Sequence, residues 1–210
     1  MARMRENNET LRIGFSTAFA RLYPDIVNDY IEEHPNAHIK SYVYGSAGLT
    51  RYIENDELDA AFFDCSRNIR AHRVPIAAVD CCLYVNKSNP LSKKKSIDVS
   101  KDLENEKMVV FRESTSDTLE SNEFDVFPEL AAPNTHVVLT TNQFGEIEDK
   151  IVRGLACSIM PKGTLCCNPD ISSIPIEPAT KIRFDAFWSS TRLLNSVSEF
   201  INFAKEYVKR

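Results

Sequence analysis

The chain has 210 residues, 43% of them apolar and 26% charged, with a formal net charge of −5 and a pI of about 5.5. That is the make-up of an ordinary soluble globular protein, long enough for one large domain or two of common size. It excludes a nucleic-acid grip by this chain itself, which needs clustered Lys and Arg, and a membrane span, which needs ~20 successive apolar residues.

Residues 1–10 are charged and lack an apolar stretch, so they are no signal peptide and read as a linker remnant or an expression-vector end. Leu11–Phe15 then reads as a strand, followed by the small polar turn Ser16-Thr17-Ala18. A first helix is expected to start near Leu22 with Pro24 in its opening turn. Leu22, Ile26, Val27, Tyr30 and Ile31 recur there at helical spacing, and Pro35 ends the pattern. His38–Tyr44 reads as the next strand and runs through Gly45-Ser46-Ala47-Gly48 into a second helix. That helix has Ser46 as N-cap and Leu49 and Ile53 on its inner face. A third strand, Leu58–Phe63, follows at once. Strands alternating with helices imply a parallel sheet, because a parallel pair needs a crossover. Such sheets bind ligands at the carboxyl ends of their strands.

The long stretch Val74–Asn86 reads as extended, and a polar segment containing Lys93-Lys94-Lys95 reads as a solvated loop. A short helix at Val99–Leu103 leads to a strand at Lys107–Phe111 and a turn whose Ser114 or Thr115 caps another helix. His136–Thr140 is the next strand. Phe144, Ile147 and Ile151 form one helical face, and Gly154 is placed to end that helix in a left-handed conformation. Leu155–Met160 reads as a buried strand, so the second block repeats the first. Ile171–Ile176 and Ile182–Trp188 read as extended. A capping-box spacing at Ser196 and Glu199 opens a last helix with Val197, Phe200, Ile201, Ala204 and Tyr207 on its apolar face. The expected class is α/β: two Rossmann-like lobes joined by a two-strand hinge, a clamshell. Lobe I takes residues 11–84 plus 184–210 and lobe II residues 85–183. The hinge is expected near Val79–Val85 and Ile174–Arg183.

The order of these features resembles the effector-binding, or co-inducer, domain of LysR-type transcriptional regulators. Leu11 to Gly14 is similar to the family's opening L-x-I-G, Leu22-Tyr23-Pro24 to its first helix start, and Tyr30 to Pro35 to that helix's exit. Gly45 to Leu49 and Glu57-Leu58-Asp59-Ala60-Ala61 resemble the next two motifs. Asn89 to Leu91, Ile97 to Leu103, Ile151 to Pro161 and Val197 to Phe203 continue the match, so that it runs from Leu11 to about Tyr207. Ala156 stands where the family usually has a second Gly, and Arg73 and Pro75 only partly match the residues flanking its hinge strand. The family's N-terminal winged helix-turn-helix is not in this sequence.

The resemblance implies a type 2 periplasmic-binding-protein-like clamshell in which helix N-termini converge on a cleft that suits a small anion. It places the effector-binding residues at Ser16, Thr17, Ser46 and Asp64 in the first lobe, and at Ser114, Thr115, Thr141 and Asn142 in the second. A carboxylate at Asp64 adds the expectation of an effector with a donor or amino group. It further implies a cytoplasmic homodimer or homotetramer, with the first helix of one subunit set against the second lobe of its neighbour. DNA would be bound only through the missing N-terminal domain, and the partner would be a small-molecule effector. Six cysteines without a secretory signal suggest reduced thiols. The adjacent pairs Cys81-Cys82 and Cys166-Cys167 point to opposite faces, so they make neither a chelate nor an easy disulfide. No zinc spacing, nucleotide-binding glycine motif or nucleophile elbow occurs, so no metal, no cofactor and no catalytic role are expected. The alternatives are a solute-binding protein of a transporter, which shares the fold but needs a signal peptide, and an enzyme of related fold, which needs an acid–base or metal constellation.

Overall fold

The computed structural model describes residues 10–64, 69–112, 136–165, 168–189 and 195–210. In chain order its first elements are β1 (Leu11–Phe15), α1 (Thr17–Leu22), α2 (Ile26–Glu33), β2 (Ile39–Val43), α3 (Ser46–Glu54), β3 (Ala60–Phe63) and β4 (His72–Asn86). They are followed by a 3₁₀ turn at Pro90–Lys93, β5 (Ile97–Asp98), α4 (Val99–Asp102), β6 (Lys107–Phe111) and β7 (His136–Thr141). Last come α5 (Phe144–Val152), β8 (Ser158–Pro161), β9 (Ile171–Glu177), β10 (Lys181–Trp188) and α6 (Asn195–Tyr207). The chain forms two units, Met1–Ala77 with Arg183–Arg210, and Ala78–Ile182. It passes from one to the other twice, inside β4 and inside β10.

In the first unit, β1 lies between β2 and β3, parallel to both, and β10 runs antiparallel along β3. One face of this sheet is packed with aromatic rings. Phe15 and Phe62 stack at 5.4 Å, Phe62 meets Phe200 of α6 edge-on at 5.6 Å, and Phe19 of α1 meets Phe184 of β10 at 5.5 Å. On the other face Leu49 and Ile53 of α3 are buried with Leu58, Ala61, Phe63 and Phe187. Gly14 lets α3 sit this close: a Cβ there would lie 2.5 Å from Leu49 Cδ2 and 2.6 Å from Leu58 Cδ1. At the amino end of the strands Arg12 clasps Asp59. Arg12 donates through its backbone N–H at 2.8 Å, Nε at 3.1 Å and Nη2 at 2.7 Å.

The first helix is expected near Leu22, and the structure adds a separate helix, α1, ahead of that point. Tyr23 precedes Pro24, whose ring disfavours a helical residue before it, and Tyr23 adopts φ −129°, ψ 61° and ends α1. Asp25 then stands at the N-cap of α2, so Pro24 lies ahead of the second helix rather than in its first turn. At the other end of the chain α6 is described from Asn195, which puts Ser196 inside the helix instead of at its cap. Phe203 joins the buried face of α6, and Tyr207 is only half-buried.

In the second unit β6 pairs with β7 in parallel, and its other edge takes Cys157 in the same sense. Cys157 N–H donates to Lys107 O, and Val109 N–H to Cys157 O, both at 2.8 Å. The strand continues as β8, antiparallel to β4. Next, β9 pairs antiparallel with β4 and parallel with β5. Phe144, Ile147 and Ile151 of α5 pack on Cys82, Tyr84, Val109, Met160, Leu165 and Ile171. Gly154 has φ 66° and ends α5 as its position predicts. Leu155 does not join the strand expected there; it is 52% exposed. Its N–H donates to Lys150 O while that of Gly154 donates to Ile151 O, the paired closure of a Schellman motif, so the strand starts only at Ser158.

Candidate functional site

In the first unit the three parallel strands end on the turns that carry candidate residues. Ser16 follows β1 and is fully buried. Its Oγ accepts from Phe19 N–H at 3.3 Å, and its own N–H donates to Phe62 O at 2.9 Å. The hydroxyl therefore caps α1, and Thr17, half-buried, is the first residue of that helix. After β2 come Tyr44 and Gly45. The N-cap of α3 is Gly45, with φ −66° and ψ 154°, one residue earlier than expected, and Ser46 is the first helical residue. Glycine brings no side chain, so no cap hydrogen bond reaches the N–H groups of the first turn from it. The Ser46 carbonyl accepts from Thr50 Oγ1 at 2.8 Å. Asp64 follows β3 and is half-buried.

The same rule, taking the first residue past each strand, gives a different chemistry in the second unit. Arg112 follows β6; it is half-buried, and its N–H donates to Thr141 O at 2.8 Å. Thr141 closes β7; its Oγ1 accepts from Gln143 N–H at 3.1 Å and donates to Glu146 Oε2 at 2.5 Å. Asn142 is exposed beside it, and α5 begins after Gln143, again without a side-chain cap. Lys162 follows β8, exposed, with its N–H donating to Asp80 O at 2.8 Å. Ser114 and Thr115 lie outside the described residues.

Three residues at these ends escaped the sequence reading: Tyr44, Arg112 and Lys162. Tyr44 is 38% exposed and stands 4.9 Å from the Tyr52 ring and 6.0 Å from that of Tyr42, making a short aromatic wall beside the start of α3. The signal that would have found all three is their place directly after an apolar strand. A lone charge or an aromatic ring there reads as a strand end or a solvated turn unless the sheet's ligand-binding edge is already known. The first unit thus presents hydroxyls, a phenol and a carboxylate at its strand ends, and the second presents two cations and a hydroxyl.

Among the described residues no group of three or more His, Cys, Asp or Glu could hold a metal ion, and no helix is long and apolar enough to cross a membrane. Cys81, Cys82 and Cys157 are buried and form no disulfide. Burial pushes the Cys82 thiol up to about 11 and that of Cys157 up to about 12. Both therefore stay neutral and pack as small apolar groups. Cys65, Cys166 and Cys167 lie outside the described residues.

A two-unit α/β architecture with candidate polar groups at the carboxyl ends of its parallel strands defines a class of ligand-binding domain. The profile of the LysR substrate binding domain matches residues 4–209, and the chain belongs to that family, the ligand-sensing part of LysR-type regulators of transcription. No curated protein matches it. Among solved structures, full-length BenM carrying E226K superposes with a TM-score of 0.83 at 19% identity, covering 99% of this chain and 70% of that one. The BenM effector binding domain with its effector benzoate gives 0.78 at 20% identity, covering 95% and 93%. HinK, a LysR family transcriptional regulator from Pseudomonas aeruginosa, gives 0.79 at 14% identity, covering 94% and 70%. These likenesses extend to the fold: a mixed α/β, periplasmic-binding-protein-like domain. The family is one of regulatory domains rather than enzymes, and LysR regulators bind small-molecule effectors and act as oligomers on DNA.

Proposed function

We propose that this chain senses a small anionic metabolite held between its two units, and that binding there controls DNA binding by a full-length LysR-type regulator in the cytoplasm. The observation that carries the reading is the cation Arg112 at the end of β6, together with N-cap residues of α3 and α5 whose side chains make no cap hydrogen bond. Gly45 and Gln143, the N-cap residues of α3 and α5, make no side-chain cap hydrogen bond, and helix N-termini favour a carboxylate or similar anion. Thr17, Ser46 and Asp64 supply contacts from the first unit, with Ser16 fixing the turn that presents Thr17. Thr141 and Asn142, with Ser114 and Thr115, supply them from the second. Arg112 holds the anionic end, and Asp64 selects an effector that also carries a donor. The effector shifts the regulator between states by its differential affinity for them, since equal affinity would shift nothing. The chain dimerises with its first helix against the second lobe of its neighbour. Ile31 of α2, 40% exposed, and Val138 and Leu155 of the second unit, 43% and 52% exposed, offer apolar surface for that contact.

A thermal-shift screen of small carboxylates against this chain tests the reading. At least one is expected to raise the melting temperature in proportion to the logarithm of its concentration. The Arg112→Ala variant should bind that compound about tenfold more weakly, the loss expected for one charge-assisted hydrogen bond. Asp64→Asn should weaken amino-bearing carboxylates more than simple ones. A screen in which only cations or neutral compounds stabilise the chain would overturn the anionic assignment, and a strictly monomeric chain in sedimentation at high concentration would remove the dimer.

A further inference from the structure

The second unit holds a cavity of about 200 Å³ on the far side of β8 from β6 and β7, and nothing in the proposed effector site uses it. It is lined by Tyr84 of β4, Lys162, Gly163 and Leu165 of the turn after β8, and Ile171 and Ser173 of β9. Its inner wall is apolar, because Leu165 and Ile171 belong to the core beneath α5. Its polar wall is built rather than incidental. Tyr84 Oη donates to Pro161 O at 3.0 Å and accepts from Gly163 N–H at 2.8 Å, which pins the turn carrying Lys162 to β4. Thr164 Oγ1 donates to the same Pro161 carbonyl at 2.8 Å. Burial holds the Tyr84 hydroxyl neutral, with its pKa up at about 12, and both of its hydrogen-bonding roles are already taken. The groups left to meet an occupant are the Lys162 ammonium and the Ser173 hydroxyl. Neither makes a side-chain hydrogen bond or ion pair among the described residues, and Lys162 faces the neutral Cys82 thiol electrostatically.

We propose that this cavity is a second ligand site, for a small carboxylate with a ring-sized apolar body. The space is an open hollow larger than the ~150 Å³ in which a closed apolar cavity holds benzene, and a ring in it would lie over a floor made by Leu165 and Ile171. The carboxylate then takes a charge-assisted hydrogen bond from Lys162 and a hydroxyl from Ser173. Lys162 also donates its backbone N–H to Asp80 O in β4, the third residue after the chain enters the second unit. Occupancy would therefore bear on the strand through which the two units are joined.

Benzoate and benzamide, equal in size and different in charge, are suitable probes for titration of the nitrogen-15-labelled chain by amide chemical shifts. Benzoate is expected to shift Gly163, Leu165, Ile171 and Ser173 saturably with a dissociation constant of about 1 mM or tighter, in keeping with a ligand of so few atoms. Benzamide should bind at least about tenfold more weakly, and Lys162→Gln should weaken benzoate about tenfold. Lys162 is exposed, so its replacement leaves the fold intact. Arg112→Ala should leave the same four shifts unchanged. The site is overturned if those amides do not shift saturably, if benzamide binds as well as benzoate, or if Lys162→Gln changes nothing. Benzoate binding that is lost with Arg112→Ala but kept with Lys162→Gln would also overturn it, while leaving the strand-end effector site standing.

Discussion

The two units are built on one frame. Each sets a first strand between a second and a third in parallel, as β2-β1-β3 and as β7-β6-β8, and each closes the third strand with an antiparallel neighbour, β10 in one and β4 in the other. Each also starts the helix after its second strand without a side-chain cap. They differ in what fills the frame. The first unit is packed with Phe15, Phe19, Phe62, Phe184 and Phe200 around one sheet face. The second relies on aliphatic and sulfur-bearing side chains such as Ile147, Ile151, Met160 and Cys82. Their strand ends differ in charge as well, with Asp64 in one against Arg112 and Lys162 in the other. A common backbone plan can therefore carry different chemistry at its strand ends, because the residue just past a strand is free of the packing that constrains the strand itself.

The sharpest way to break this comparison is to empty part of the aromatic core. Phe200 is fully buried and its ring meets those of Phe15, Tyr30 and Phe62. Phe200→Ala should cost about 3–5 kcal/mol in urea unfolding. Limited proteolysis should then cut within the first unit before the second; cutting of both at one rate would mean that they unfold as a single body. Next comes the clasp at the amino end of β1. Asp59 has 8% of its side chain exposed and Arg12 36%, so Asp59→Ala, which strands Arg12, should cost about 1–3 kcal/mol. A double-mutant cycle with Arg12→Ala should show coupling; strictly additive losses would reduce the clasp to two independent contacts.

The smallest effect is one of pH, and it belongs to the second unit. Cys82 and Cys157 have folded pKa values raised to about 11 and about 12 by burial, against about 8.5 for a free thiol. Between those values the unfolded chain loses thiol protons that the native one keeps. The contribution of these groups is thus complete below about pH 8.5 and is lost as pH rises toward 11–12. Urea midpoints measured across alkaline pH should fall less steeply in Cys82→Ala and Cys157→Ala. Iodoacetamide at pH 8.5 should label both thiols far more slowly than a free cysteine; labelling at the free rate would show that the second unit does not sequester them.

Much of this fold is legible in the sequence because its signals are local. The apolar faces of α3, α5 and α6 repeat at helical spacing, and Gly154 marks a helix end that only a left-handed residue closes readily. What escaped depends on competition or on distant partners. Pro24 lies ahead of α2 rather than in its first turn, and Gly45 takes the cap in place of a better capping residue one position later. Leu155, apolar but spent on closing α5, lies outside the strand it resembles. The placement of β9 between β4 and β5 rests on pairings some 90 residues apart in sequence, such as Leu83 with Ile174. At the candidate site Ser16, Ser46, Asp64 and Thr141 were legible as turn residues. Arg112 and Lys162 were not, because a single cation after a strand carries no pattern until the sheet edge it joins is known.

Gly14 also bears on how this domain can drift in sequence. With Leu49 Cδ2 at 2.5 Å and Leu58 Cδ1 at 2.6 Å from where its Cβ would be, even one methyl group must be answered by swinging those leucine tips aside, by shortening one of them or by lifting α3 off β1. Lifting the helix would carry Gly45 and Ser46 away from the end of β1, and with them the helix start proposed to meet the effector. The packing of residues 14, 49 and 58 is therefore coupled, and a lineage that enlarges residue 14 should be found to have repacked or trimmed 49 or 58.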